Sequence, residues 1–264
     1  MNYLYETHLH TRQASSCAIS RGRDYIQGYQ DAGYDGIIVT DHFFNGNSAI
    51  RQYLNWTDWV NEFCRGYEDA YNEGLRRNFD VFFGWEESFD GDDYLIYGLD
   101  KQWLLQHPEV CNWTRAEQYE TVNYYGGAVV HAHPFRYTSY IQWIHLAPQL
   151  IDAVEVANAG NGDPLYNALA LRYARKLGLP GTAGSDIHTA QQLKTNAIFG
   201  VYLTQKMRTV NDYSNALKSG TLAGIRAHPR CFSTSSDSAS LHTPVCIHDK
   251  SDRIIDADIQ DFLD

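Results

Sequence analysis

Tyr3-Leu4-Tyr5-Glu6-Thr7-His8-Leu9-His10 is the stretch on which the reading of this chain turns. A run of strand length, rich in aromatic and aliphatic residues, closes on two histidines one residue apart. Alternate residues of a strand point to the same face, so both imidazoles can converge on one ion. The pattern then recurs. Val39-Thr40-Asp41-His42, Phe82-Phe83-Gly84-Trp85-Glu86-Glu87, Val129-Val130-His131-Ala132-His133-Pro134 and Gly184-Ser185-Asp186-Ile187-His188 each carry ligand-type residues where a short run ends.

Around these runs the chain alternates. Short apolar segments predict strands at 3–8, 36–40, 80–84, 94–99, 127–131, 153–156, 181–184 and 197–203. Longer amphipathic segments predict helices at 23–32, 48–77, 115–125, 164–177 and 211–218. Gly33 after the first helix, a Thr114/Glu117 capping box, and Gly178 followed by Pro180 supply the punctuation. Strands alternating with helices imply βα units and a mainly parallel α/β sheet. The number of units predicts a closed or distorted barrel rather than an open sheet. In such a barrel the C-terminal strand ends share one face, where active sites are built.

Composition sets the outer limits. The chain has 264 residues, 44% hydrophobic and 20% charged, ordinary for a globular protein and enough for one large barrel. Residues 1–264 are read as a single barrel domain, with the serine-rich stretch from 233 opening a C-terminal extension over it. Lys and Arg total 21 against 32 Asp and Glu, a net charge of −11, which disfavours grip on long nucleic acid or an anionic membrane. The five cysteines are scattered with no C-x-x-C pair, which fits a reducing compartment. With no signal-peptide pattern at the N-terminus and no apolar run long enough to span a bilayer, the expectation is a cytoplasmic protein.

Six of the eleven histidines fall at predicted strand ends, each cluster adding a carboxylate or a second histidine. Scattered structural histidines would show no such preference. Imidazole and carboxylate ligands suit Zn, Mn or Fe better than Ca or Mg. The ligand count exceeds the needs of one tetrahedral ion, so two or three divalent ions sharing a bridging carboxylate are implied, the usual apparatus of phosphoester hydrolysis. Among the remaining histidines, His107, His145 and His228 read as structural, and the tail group His242, Cys246, His248 and Asp249 reads as surface.

The ordered set His8-x-His10-Thr11, Thr40-Asp41-His42, Gly84-x-Glu86, His133-Pro134 and Ser185-Asp186-x-His188 resembles the PHP (polymerase and histidinol phosphatase) family, over residues 3 to about 203. The resemblance implies a distorted (β/α)7 TIM-like barrel with its metal site at the C-terminal strand ends. By motif, His8, His10, Glu86 and Asp186 would hold a first ion, Glu86 bridging to a second that His133 also binds. His42 and His188 would hold a third. Asp93 stands where many members place a histidine ligand. Cys17, in the loop after His-x-His, is either a zinc-binding thiolate or a plain buried thiol. His131 is either a ligand or a group that orients one. Asp41 is expected to support the ligands, and Glu87 to turn away from Glu86.

Arg136 and Arg12 follow ligand motifs closely and are the candidates to clamp phosphate oxygens through a planar fork. His188 is the candidate to protonate a leaving group. The expected activity is metal-dependent hydrolysis of a small phosphomonoester. The alternatives are an amidohydrolase-type barrel, which would need a Lys or Glu bridge on a mid-barrel strand, and a metal-binding module without turnover.

Overall fold

A computed structural model describes residues 2–139, 141–195, 198–233 and 244–263. Its strands are β1 (Tyr3–Glu6), β2 (Gly36–Val39), β3 (Asp80–Phe89), β4 (Asp92–Tyr97), β5 (Ala128–Ala132), β6 (Ile144–Leu146), β7 (Ala153–Asn158), β8 (Gly181–Gly184), β9 (Gly200–Leu203), β10 (Leu222–Arg226), β11 (Val245–His248) and β12 (Ile254–Ile255). One sheet runs in the order β10-β9-β1-β2-β3-β4-β5-β7-β8.

Parallel pairing joins β1 to β2 to β3, and again β5 to β7 to β8. The free edge of β8 turns back to β1. Leu9 bridges Ile187 in parallel, Asp186 N–H donates to the His8 carbonyl at 2.9 Å, and His10 N–H donates to the Ile187 carbonyl at 3.0 Å. The result is a nearly closed, distorted α/β barrel, as expected. β9 and β10 lie antiparallel outside β1.

Two features depart from the repeating βα pattern. β3 and β4 are not separate βα strands but one antiparallel hairpin, turning at Asp90-Gly91, where Gly91 takes φ 100°. The Asp-Gly pair is a hairpin signal, and it puts the start of β4 on the same barrel face as the end of β3. The amphipathic stretch 48–77 is two helices, Trp56–Phe63 and Arg65–Arg77. Asn55 caps the first, its side chain accepting from Asp58 N–H, and Asn78 ends the second in the left-handed region. The helix at Gly22–Asp31 buries Gly22, Tyr25, Ile26 and Tyr29, one stripe at helical spacing, and Pro164–Leu177 ends on left-handed Gly178. Thr114 and Glu117 form the expected capping box on Arg115–Tyr124.

Beyond the barrel, β11 pairs in parallel with β6 and antiparallel with β12. This pairing corrects the reading of His248 as surface. It is buried, with Nε2 2.9 Å from His145 Nδ1 and Nδ1 2.9 Å from Asp252 Oδ1. Ala197, the serine-rich run after Ser233 and His242 lie outside the described residues. Among the described residues, no helix is long and apolar enough to cross a membrane.

Closure leaves no room where β8 meets β1. A Cβ on Gly184 would stand 2.6 Å from Glu155 Oε1 and closer still to His8 Cβ. Gly184→Ala is therefore expected to cost about 1–3 kcal/mol, the range of overpacked cores. Urea denaturation checks this, and an unchanged midpoint would contradict the tight closure.

Candidate metal centre

His8 and His10 extend past β1 into the mouth of the barrel, both fully buried. Their Nε2 atoms stand 3.1 Å apart. His8 Nε2 lies 3.2 Å from Glu86 Oε1 and 3.6 Å from Asp186 Oδ1, and His10 Nε2 lies 3.1 Å from Asp186 Oδ1. His133 Nε2 is 3.2 Å from Glu86 Oε1 and 3.8 Å from Asp93 Oδ2. His42 Nδ1 is 2.7 Å from Glu86 Oε2, and the His42 and His188 rings both stack against His10, with their own centroids 6.3 Å apart.

Four overlapping sets have ligand atoms mutually within 4.8 Å: His8/His10/Glu86, His8/His133/Asp186, Glu86/Asp93/His133 and His10/His42/His188. Glu86 belongs to two of them. The spacing fits coordination, because neighbouring ligands on a tetrahedral ion with bonds of about 2.0–2.1 Å stand about 3.4 Å apart. Buried carboxylates and facing imidazole nitrogens without a cation between them would be costly. Electrostatics follow the crowding. Burial, joined by the facing His42, pushes His10 down to about 3. Burial would raise Glu86, but His42 and His8 hold its carboxyl well below the usual range. Asp186 is likewise held low against burial, chiefly by Arg136.

Backbone geometry aims two of these groups. His133 has φ 29° and Asp186 φ 51°, both non-glycine residues in the left-handed region. Such strain persists where the surroundings enforce it, commonly at functional sites. Asp41 does what was expected of it. It accepts from Thr11 N–H, Thr11 Oγ1 and Ser15 Oγ, and Ser15 Oγ lies 3.2 Å from His10 Nδ1. Glu87 turns away, within reach of Asn45 Nδ2 and its neighbour Ser88 N–H. His188 Nδ1 faces the Asp186 carbonyl at 2.8 Å.

A cavity of about 820 Å³ opens above the cluster. Its walls include Asn45, Asn47, Phe89 and Ile141, and Arg136 is the cationic side chain among its described lining residues.

Several sequence-derived roles change. His131 does not join the cluster. It is fully buried on the outer side of β5, stacked on Tyr94 at 4.7 Å and edge-on to Tyr173, with neither ring nitrogen meeting a protein partner. The i, i+2 rule fails because the strand ends at Ala132, and the left-handed φ of His133 swings that residue inward instead. Arg12 is exposed and outside the cavity lining. Arg136 lines the cavity, but its fork is engaged. Nε donates to Asn161 Oδ1 at 2.9 Å, and Nη2 donates to Asn158 Oδ1 at 2.7 Å and Asp186 Oδ2 at 2.6 Å. Only Nη1 is left to face a ligand. Cys17 is exposed at the rim rather than buried, outside the four sets. Partial shielding by its neighbours would raise its thiol, but hydrogen bonds with His188 and His42 bring it down to about 6.

Sequence reasoning overlooked Glu155, Asn158 and Asn161. Glu155 is fully buried on β7, with Oε1 3.0 Å from His8 Nδ1 and Oε2 accepting from His133 N–H at 3.1 Å. The signal was present: an unpartnered carboxylate inside the otherwise apolar run Ala153-Val154-Glu155-Val156.

A family model described as PHP-associated matches residues 164–193, which include the Ser185-Asp186-x-His188 motif. No curated protein matches the chain. Among solved structures, a two-domain protein from Bacteroides vulgatus containing a predicted PHP-like metal-dependent phosphoesterase is 15% identical with a TM-score of 0.60, over 86% of this chain and 65% of that one. PsfC from Pseudomonas syringae is 15% identical with a TM-score of 0.51, over 88% of this chain and 93% of that one. The chain thus spans 65% of the length of the Bacteroides protein. At these identities the likeness is one of fold. The resemblance to the PHP family is borne out.

His131 yields a pH test. Burial, outweighing nearby Asp92, holds its imidazole down to about 3, below its ordinary value of about 6.5. The unfolded chain therefore binds the proton more readily. This part of the stability is complete above that ordinary value and is lost as the pH falls toward the folded one, at up to about 1.4 kcal/mol per pH unit. His131→Phe is expected to raise the midpoint of unfolding and flatten this acid limb without weakening metal binding. Chemical denaturation at several pH values checks the slope, and loss of bound metal in the variant would restore His131 as a ligand.

Proposed function

We propose that this chain is a metal-dependent phosphoesterase acting on a small phosphomonoester. The observation that carries the reading is the convergence of His8, His10, Glu86 and Asp186 at ligand-to-ligand distances, with Glu86 shared by a neighbouring set. In this reading these four residues hold one ion. Glu86, Asp93 and His133 hold a second, and His42 and His188, beside Cys17, offer a third position. The donor set of imidazole and carboxylate suits Zn, Mn or Fe. Ions there supply charge stabilisation to phosphoryl oxygens and a nucleophilic water at neutral pH.

The chain's own residues supply the rest. Asp186 presents Oδ1 to the cluster while Arg136 holds Oδ2. Arg136 Nη1 is the group placed to meet a phosphoryl oxygen. Where His42 and His188 hold no ion, His188 Nε2 is the nitrogen that would protonate the leaving oxygen, exchanging its contact with Cys17 for the substrate, since Nδ1 is engaged with the Asp186 carbonyl. The cavity above the cluster suits a small ester, and a single guanidinium among its described lining residues disfavours a long strand. The likeness in fold to a structure containing a predicted PHP-like metal-dependent phosphoesterase supports the bond type.

Phosphate release from a panel of phosphomonoesters and one phosphodiester tests the proposal. Release is expected to vanish on chelation, return with Mn or Zn, and fall by more than about a hundredfold in His8→Ala and Asp186→Ala, since even residues behind the ligands are worth 10–100-fold. Bound ions with no phosphate release under any condition would turn the assignment to an amidohydrolase-type reaction or a silent metal site.

A further inference from the structure

We infer that Arg136, Asn158 and Glu155 form a one-way hydrogen-bond chain that fixes which nitrogen of His8 is open to a metal ion, with Glu155 as the positioning residue. The inference rests on the metal-centre reading above. It starts from a group with no choice, because a guanidinium only donates. Arg136 Nη2 donates to one side-chain atom of Asn158, and Gly160 N–H donates to the same atom at 2.8 Å. That atom must be the carbonyl oxygen. The Asn158 amide is thereby oriented, and its Nδ2 must donate to Glu155 Oε2 at 2.8 Å.

Glu155 Oε2 also receives the His133 N–H. The other oxygen, Oε1, is left to accept from His8 Nδ1 at 3.0 Å. His8 therefore carries its proton on Nδ1, and Nε2, the nitrogen facing Glu86, Asp186 and His10, keeps its lone pair for coordination. A ligating histidine whose second nitrogen donates to a carboxylate is both oriented and made more basic. The other end of the chain acts on the same site, because Arg136 Nη2 also fixes Asp186 Oδ2 and leaves Oδ1 for the ion. Gly160 permits this approach: a Cβ there would lie 3.0 Å from Asp186 Oδ2 and 3.1 Å from Asn158 Oδ1.

A polarity argument of this kind makes an unusual prediction. In Glu155→Gln the side chain keeps its shape, but its carbonyl oxygen must face the two donors, Asn158 Nδ2 and His133 N–H. The new amide NH2 then points at His8 Nδ1 and forces the proton onto Nε2, which blocks coordination. In Glu155→Ala, water can accept from Nδ1 and the productive tautomer survives. The near-isosteric variant should therefore be the worse metal binder, whereas a packing role alone ranks the two the other way.

Titrating metal-free protein with Co or Zn against a competing chelator provides the readout, together with the visible spectrum of the Co form. Affinity is expected to fall about 10–100-fold in Glu155→Gln and by less in Glu155→Ala. Equal affinity in wild type and Glu155→Gln, or the reverse ranking of the two variants, overturns the inference while leaving the metal centre intact. Wild type that binds no ion overturns both. Should the variants fail to fold, ¹⁵N NMR of the Zn-loaded wild type decides. A slowly exchanging proton on His8 Nδ1 with Nε2 coordinated supports the chain, and coordination through Nδ1 overturns it.

Discussion

The site depends on a zipper of backbone hydrogen bonds between His8-Leu9-His10 and Asp186-Ile187. Asp186 N–H to the His8 carbonyl, and His10 N–H to the Ile187 carbonyl, close the barrel where its first and last parallel strands meet. Residues far apart in the sequence are thereby held with their side chains in one mouth. Gly184 lets the two strands approach closely enough for this, and Asp186 takes a left-handed backbone conformation to turn its carboxylate inward. The remaining candidate ligands are added from just past the ends of β2 and β5, from within β3 and from the start of β4.

Closing the barrel concentrates charge in a dry place. Glu86 and Asp186 are buried with His8, His10 and His133 around them. Such a group is tolerable only if each polar atom is paired, by a cation or by hydrogen bonds. The outward-facing atoms are paired by protein: Asp41 and Ser15 behind His10, Glu155 behind His8, Arg136 behind Asp186. The inward-facing atoms are left with one another at ligand spacing. That division, protein behind and ion in front, is the physical content of the assignment.

Much of this was legible in the sequence, because coordination demands particular residue types at particular strand positions. The pairs His8/His10 and Asp186/His188, Glu86 in Gly84-x-Glu86, His133 in His133-Pro134, and even the departure at Asp93 announced themselves at predicted strand ends. What was not legible depends on backbone conformation and long-range pairing. Strand alternation placed His131 with His133, and one left-handed residue separated them. Glu155 was hidden inside an apolar run whose partner was 147 residues away in the chain. The Asp90-Gly91 turn was visible but was not used to join β3 and β4 into a hairpin. His248 read as surface because nothing local signals that β11 pairs with β6.

The account stands or falls on an ion in this mouth. Anomalous diffraction from crystals grown with Zn or Mn, recorded on either side of the metal edge, locates it without reference to turnover. The account predicts a principal anomalous peak bonded to His8 Nε2, His10 Nε2, Asp186 Oδ1 and Glu86. A barrel mouth with no anomalous peak at saturating metal, or a peak bound only elsewhere on the molecule, would contradict it.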